Sequence, residues 1–166
     1  MNRRDEVEAL TERFRQAGAR NPRTWAESQV DERIPQLARF LFLRQAWAEI
    51  VSETDPSWIH AAVAGAEAKP DDPYAGVGHA AKALLAAGAT ESQLTDLVRG
   101  QQAALLFRLC YLLEDPSLED DFEDVQWGLF VLDEHGQPQE PLGGLHESVL
   151  ETDPTGTEMR PGRGAG

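Results

Sequence analysis

The side chains best suited to covalent or metal chemistry are few: one cysteine, four histidines and only two lysines, Lys69 and Lys82. Cys110 falls in the last turns of an expected helix. There the negative end of the helix dipole disfavours a thiolate, so it reads as a small buried hydrophobe. His60, His79, His135 and His146 include no pair at the close helical spacing of zinc proteases, and His146-Glu147 lacks the second histidine of HExxH. With a single cysteine beside them, no structural zinc site is expected. The acidic run Asp115 to Asp124 lacks the mid-loop glycine and alternating ligands of a calcium loop, so it reads as a solvated charge cluster. Gly76-Val77-Gly78 stands ahead of Lys82, but no strand precedes it and no phosphate-loop spacing is matched, so helix packing accounts for these glycines. No serine sits in a Gly-x-Ser-x-Gly elbow. The expectation is no metal, no cofactor and no recognisable catalytic centre.

Two looser groupings remain. Arg44 lies within the apolar arc of one expected helix, and Gln101 and Arg108 lie on the apolar seam of another, where polar groups need partners if buried. Together with His146 and Glu147 they define a candidate pocket between the helices and a C-terminal hairpin, suited to a small anion. The plainer reading is that the long side chains reach outward to water. The second grouping is Glu119, Asp120, Asp121, Phe122, Glu123 and Asp124 with Trp127, a mixture of charge and aromatic surface that suits partner recognition. For Trp127 the competing reading is packing over the helical core together with Leu129 and Val131.

Charge favours the second grouping. Residues 1 to 50 carry 9 basic and 8 acidic side chains, residues 51 to 113 carry 4 and 7, and residues 114 to 166 carry 2 and 14. Nearly all of the net charge of −14 therefore sits in the last third. A field of that sign repels phosphate backbones and anionic lipid headgroups and attracts basic proteins. Nucleic acid and membrane partners are not expected. The sequence turns acidic from Asp5 to Glu8, where a signal peptide would need its apolar stretch, and the longest apolar runs are broken by Arg39, Arg44 and Arg108. They fall far short of the ~20 residues that cross a bilayer. A lone cysteine suits a reducing, cytoplasmic setting.

The elements that must position these groups are mostly helices. Val7, Leu10, Phe14 and Ala17 step by three and four and stop at Gly18. After a loop carrying Asn21-Pro22, Asp31 as cap and Pro35 in the first turn predict a largely buried helix to about Val51. Asp55-Pro56 opens a third helix containing Ile59, Ala62 and Ala66, and a Gly- and Ala-rich helix from about Gly76 to Ala87 permits close approach of a neighbour. Gly88 then ends one helix, and Thr90 with Gln93 forms a capping box for the next, running to about Leu113. In it Leu94, Val98, Gln101, Leu105, Arg108 and Leu112 make the expected seam. From Val125 the residues become aromatic and β-favouring, and Asp133 to Gly136 is a hairpin turn, with Pro138 and Pro141 restricting the returning strand to an edge.

The pattern predicts a mainly α fold: an irregular bundle of about five helices with a small C-terminal β-hairpin at about 125–142. One domain is expected over 1–151, with a flexible tail at 152–166. The function that follows is a small acidic interaction protein, such as an inhibitor, an immunity-like protein or an adaptor, that binds a basic partner. The alternatives are a small-ligand binder or enzyme using the candidate pocket, and a homodimer formed through the small-residue helix.

Overall fold

The computed structural model describes residues 2–115 and 126–160. Chain contacts divide the protein into two units, Met1–Trp47 with Leu105–Gly166, and Ala48–Ala104.

The first unit opens with α1, Arg3–Gln16. Asn2 Oδ1 accepts the Asp5 N–H, acidic Asp5 and Glu6 occupy the first turn, and Arg13 and Arg15 the last, so the cap and the charges both complement the helix dipole. The predicted face of Val7, Leu10, Phe14 and Ala17 is buried, and Gly18 leaves the helix at φ +85°. The loop expected after Asn21 is instead α2, Pro22–Glu32, with proline at its start, where a missing N–H costs nothing. Its apolar residues, chiefly Trp25, Ala26 and Val30, are too sparse to announce a helix. Asp31 therefore lies inside α2 rather than capping the next helix. It pairs with Arg3 at 2.6 Å, and that hydrogen bond holds its carboxyl below the usual range. Arg33 turns the chain in the left-handed region at φ 58°, and α3 runs Gln36–Ala48, three residues short of Val51. Phe14, Trp25 and Phe40 form the aromatic centre of this core, with ring centroids 5.6 to 6.0 Å apart.

In the second unit, α4 is Ser57–Ala68 and α5 is Ala75–Ala86. Asp55 Oδ1 accepts the Ser57 N–H at 3.0 Å, which lowers its pKa, and Pro56, expected inside the first turn, is instead the N-cap residue of α4. A side chain on Gly78 would sit 2.7 Å from the Ala66 Cβ and nearer still to the Ala62 carbonyl oxygen, so α5 meets the backbone of α4 at the expected small-residue contact. The capping box before α6, Glu91–Glu114, is formed in both directions: Thr90 N–H to Gln93 Oε1 at 2.9 Å and Gln93 N–H to Thr90 Oγ1 at 3.2 Å.

The buried face of α6 differs from the predicted seam. Leu94 is buried as expected, but it is followed by Thr95, Arg99, Ala103 and Cys110, whereas Gln101, Leu105, Arg108 and Leu112 are exposed. The cause is that polar positions found partners. Trp58 Nε1 donates to Thr95 Oγ1 at 3.1 Å, Arg99 Nη1 donates to the Val51 carbonyl at 2.9 Å, and Gln102 Oε1 accepts the Val51 N–H at 2.9 Å. A satisfied polar group loses its objection to burial, and apolar periodicity alone does not register that.

The chain re-enters the first unit at Leu105, within α6, and the described residues resume at 126. Strands β1, Phe130–Leu132, and β2, Pro138–Pro141, pair antiparallel with an irregular register. Two prolines in β2 remove ladder donors. Bonds flanking the pair close the hairpin instead, Asp133 N–H to Gln137 O at 3.0 Å and Leu142 N–H to Leu129 O at 2.8 Å. Asp133 Oδ1 also takes the N–H groups of His135 and Gln137, and Gly136 adopts φ +75°. The short α7, Leu145–Ser148, buries Leu145. Residues 152–160, expected to be tail, form successive turns around a fully buried Asp153. The fold is mainly helical, with seven helices and one two-stranded hairpin among the described residues. No described helix is long and apolar enough to cross a membrane.

Candidate functional site

Three features of the first unit gather the chemistry, and the first is an apolar row on α6. Leu105, Leu109 and Leu112 step by four and three along one face, and are 49%, 47% and 39% exposed. Trp127, 48% exposed, lies beside the end of this row because its indole N–H donates to the Leu112 carbonyl at 2.9 Å. That carbonyl belongs to the last turn of α6, where no intrahelical donor remains, so the tryptophan acts as a side-chain cap while presenting its ring to solvent. On the hairpin, Phe130 and Leu132 are also exposed, whereas Leu129 and Val131 are half-buried.

The second feature is His146. Its Nδ1 lies 2.7 Å from Glu114 Oε2, and its backbone N–H reaches Glu114 Oε1 at 3.2 Å, so one carboxylate holds both ring and main chain. Phe107 and Tyr111 meet the imidazole edge-on at 5.8 and 5.2 Å. A carboxylate orienting a histidine is one half of a nucleophile-activating arrangement. The thiol on this stretch of α6 is unsuited to complete it: burial pushes Cys110 up to about 11, with the charge of Glu114 adding to the shift. At neutral pH it stays a thiol. The Glu114–His146 pair thus tethers α7 to α6.

The third feature is the docking of the C-terminal turns. Trp47 Nε1 donates to the Val149 carbonyl at 2.9 Å and to Thr152 Oγ1 at 3.2 Å, and Arg20 Nη2 donates to the carbonyls of Glu151 and Asp153, each at 2.9 Å. Asp153 accepts from Thr155 N–H at 3.1 Å, Thr155 Oγ1 at 2.7 Å and Met159 N–H at 3.1 Å, which satisfies a buried carboxylate inside its own turn. Gly144, at φ +68°, lies against the Arg39 guanidinium, and Gly156, at φ +81°, against that of Arg20; in each case an added Cβ would overlap the arginine. Arg39 is buried, and its Nε has no acceptor among the described residues. Between these turns and the helices lies a cleft of about 400 Å³ lined by residues including Trp25, Phe40, Arg20, Arg44, Glu151 and Glu158.

The residues proposed from sequence are dispersed among these features. Arg44 lines the cleft and donates to the Ala17 carbonyl at 2.9 Å. Arg108 and Glu147 are exposed, His146 is committed to Glu114, and none of these three lines that cleft. Gln101 is exposed and belongs to the second unit. Of the acidic grouping, Trp127 is placed as above, and Glu119, Asp120, Asp121, Phe122, Glu123 and Asp124 lie outside the described residues. Sequence reasoning missed Arg20, Arg39 and Trp47, whose partners lie more than a hundred positions away. Their one signal was the density of arginine and tryptophan in the first 50 residues. Among the described residues, no three His, Cys, Asp or Glu side chains cluster as metal ligands would.

No protein-family model, curated protein or solved structure matches this chain.

Proposed function

We propose that the protein is an acidic interaction module of the cytoplasm that binds a basic protein partner, as an inhibitor, an immunity-like protein or an adaptor does. The observation that carries this reading is the uncovered leucine row of α6 with Trp127 seated at its end. Exposed apolar side chains in a continuous row, flanked by polar residues, mark association surfaces, and a partly buried tryptophan is a common anchor for them. The charge pattern supplies the choice of partner. Residues 114 to 166 hold 14 acidic and 2 basic side chains, which accelerates encounter with a basic surface and repels an acidic one, including a second copy of this chain. Glu119 to Asp124 supply the field, and Leu109, Leu112 and Trp127 the desolvated centre.

Capture from the source cell's lysate with the full-length chain tests this, run beside Leu109→Glu and Trp127→Ser at low and moderate salt. The reading requires a basic protein held stoichiometrically by the parent chain, released as salt rises and lost with both variants. Retention by both variants, or a partner without basic character, refutes it.

A further inference from the structure

The cleft between the helices and the C-terminal turns carries an inference independent of the partner surface. Its lining combines three kinds of group. Trp25 and Phe40 are buried core aromatics that also border the cavity, so they offer it a rigid apolar floor. Arg44 and Arg20 are each pinned by bonds to main-chain carbonyls, Arg44 through Nη1 to Ala17 and Arg20 through Nη2 to Glu151 and Asp153. Neither guanidinium has a carboxylate within ion-pair distance among the described residues, in a chain with 29 acidic side chains to 15 basic ones. Arg44 keeps Nε and Nη2 without an acceptor among the described residues. The third kind is Glu151, whose side chain makes no described hydrogen bond. Burial pushes its carboxyl upward, the nearby charge of Glu158 adds to this, and Arg20 pulls the other way. Glu158 itself is paired with Arg160 at 2.7 Å.

A pinned guanidinium with spare donors recognises a carboxylate, and the exposed carboxylate of Glu151 on the lining of the same cavity offers a partner to a cation. Both border one cavity whose volume lies in the range of small-molecule sites. A simple anion would be repelled by Glu151, and a simple cation by Arg44. We propose that this cleft binds a small apolar α-amino acid as its zwitterion, with the carboxylate on Arg44, the ammonium at Glu151 and the side chain on Trp25 and Phe40. The anchoring bonds of the two arginines fix part of the site before the ligand arrives, which lowers the ordering cost of binding.

Three probes sharing one ring separate the contributions: L-phenylalanine, 3-phenylpropionate, which lacks the ammonium, and phenethylamine, which lacks the carboxylate. Titration of the full chain by calorimetry, at fixed ionic strength, should give saturable binding of phenylalanine at least about tenfold tighter than either analogue. Glu151→Gln should weaken phenylalanine about tenfold or more while leaving phenylpropionate no weaker. Arg44→Gln should weaken both carboxylates and spare phenethylamine. Because Arg44 also anchors the α1 end, circular dichroism must show that its variant folds; if it does not, Glu151→Gln, which disturbs no backbone bond, decides alone. Absence of saturable phenylalanine binding, equal affinity for the three probes, or indifference to Glu151→Gln overturns the assignment.

Discussion

Replacing Gly78 by alanine tests the close contact between α4 and α5, because the expected sign opposes helix propensity. Alanine in place of glycine inside a helix gains about 0.5–1 kcal/mol from backbone entropy. Gly65 in α4 and Gly76 in α5 have nothing within 4 Å of an added Cβ, so Gly65→Ala and Gly76→Ala should stabilise by that amount. At Gly78 the new methyl would overlap the Ala62 carbonyl, and the Ala66 Cβ would stand at 2.7 Å. The first obstacle is backbone, so no rotamer change relieves it and the helices must separate. Overpacking of this kind costs about 1–3 kcal/mol, which exceeds the propensity gain and leaves Gly78→Ala destabilised by about 1–2 kcal/mol. Relative to Gly76→Ala the gap is about 1.5–3 kcal/mol, or about 3–12 °C in melting temperature at the 2–4 °C per kcal/mol usual for a chain of this length. Thermal melts and urea titrations followed at 222 nm measure it. If Gly78→Ala melts at or above the temperature of Gly76→Ala, the helices do not approach as described.

Other outcomes follow from single sites. With its thiol pushed up to about 11, Cys110 should react with iodoacetamide at pH 8 about a hundredfold more slowly than a free thiol, and at the ordinary rate in denaturant; fast labelling of the folded chain would show that the site is open. Thr90→Ala removes one half of the capping box before α6 and should cost about 1 kcal/mol by urea titration, whereas Thr90→Ser should cost little. Arg39→Met replaces a buried guanidinium whose Nε lacks an acceptor among the described residues with a flexible apolar chain, so it should raise stability by about 1 kcal/mol. A lower melting temperature for that variant would mean that Arg39 has a bonding partner after all.

What was legible in the sequence was local. The stop at Gly18, the Thr90–Gln93 box, the Asp133 turn and the small face of α5 each depend on residues a few positions apart, and each formed as their chemistry required. α2 was not legible, since Trp25 and Ala26 bury one short arc without a repeating pattern. The seam of α6 was misplaced for a different reason. Thr95 and Arg99 are buried because Trp58 and the Val51 carbonyl lie opposite them, and such partners are supplied by tertiary structure rather than by spacing. Of the candidate pocket residues only Arg44 borders the cleft, and apart from Phe40 on the same helix its companions there come from the α1–α2 connection, α2 and the C-terminal turns, segments with no local pattern linking them.

The way those turns dock also bears on how their charge can be used. Arg20 and Trp47 grip them through main-chain carbonyls of Val149, Glu151 and Asp153, not through carboxylates. Asp153, the one acidic side chain buried there, is answered by threonine hydroxyls and backbone N–H groups within its own turn. Had the arginines bound the acidic side chains directly, docking would have neutralised part of the acidic third. Carbonyls carry no net charge, so the turns are fixed in place while Glu151 and its exposed neighbours keep theirs. One structural choice therefore serves both proposals: it leaves an acidic surface for a basic partner, and it leaves the charges of Glu151 and Arg44 on the lining of one cleft for the two ends of a zwitterion.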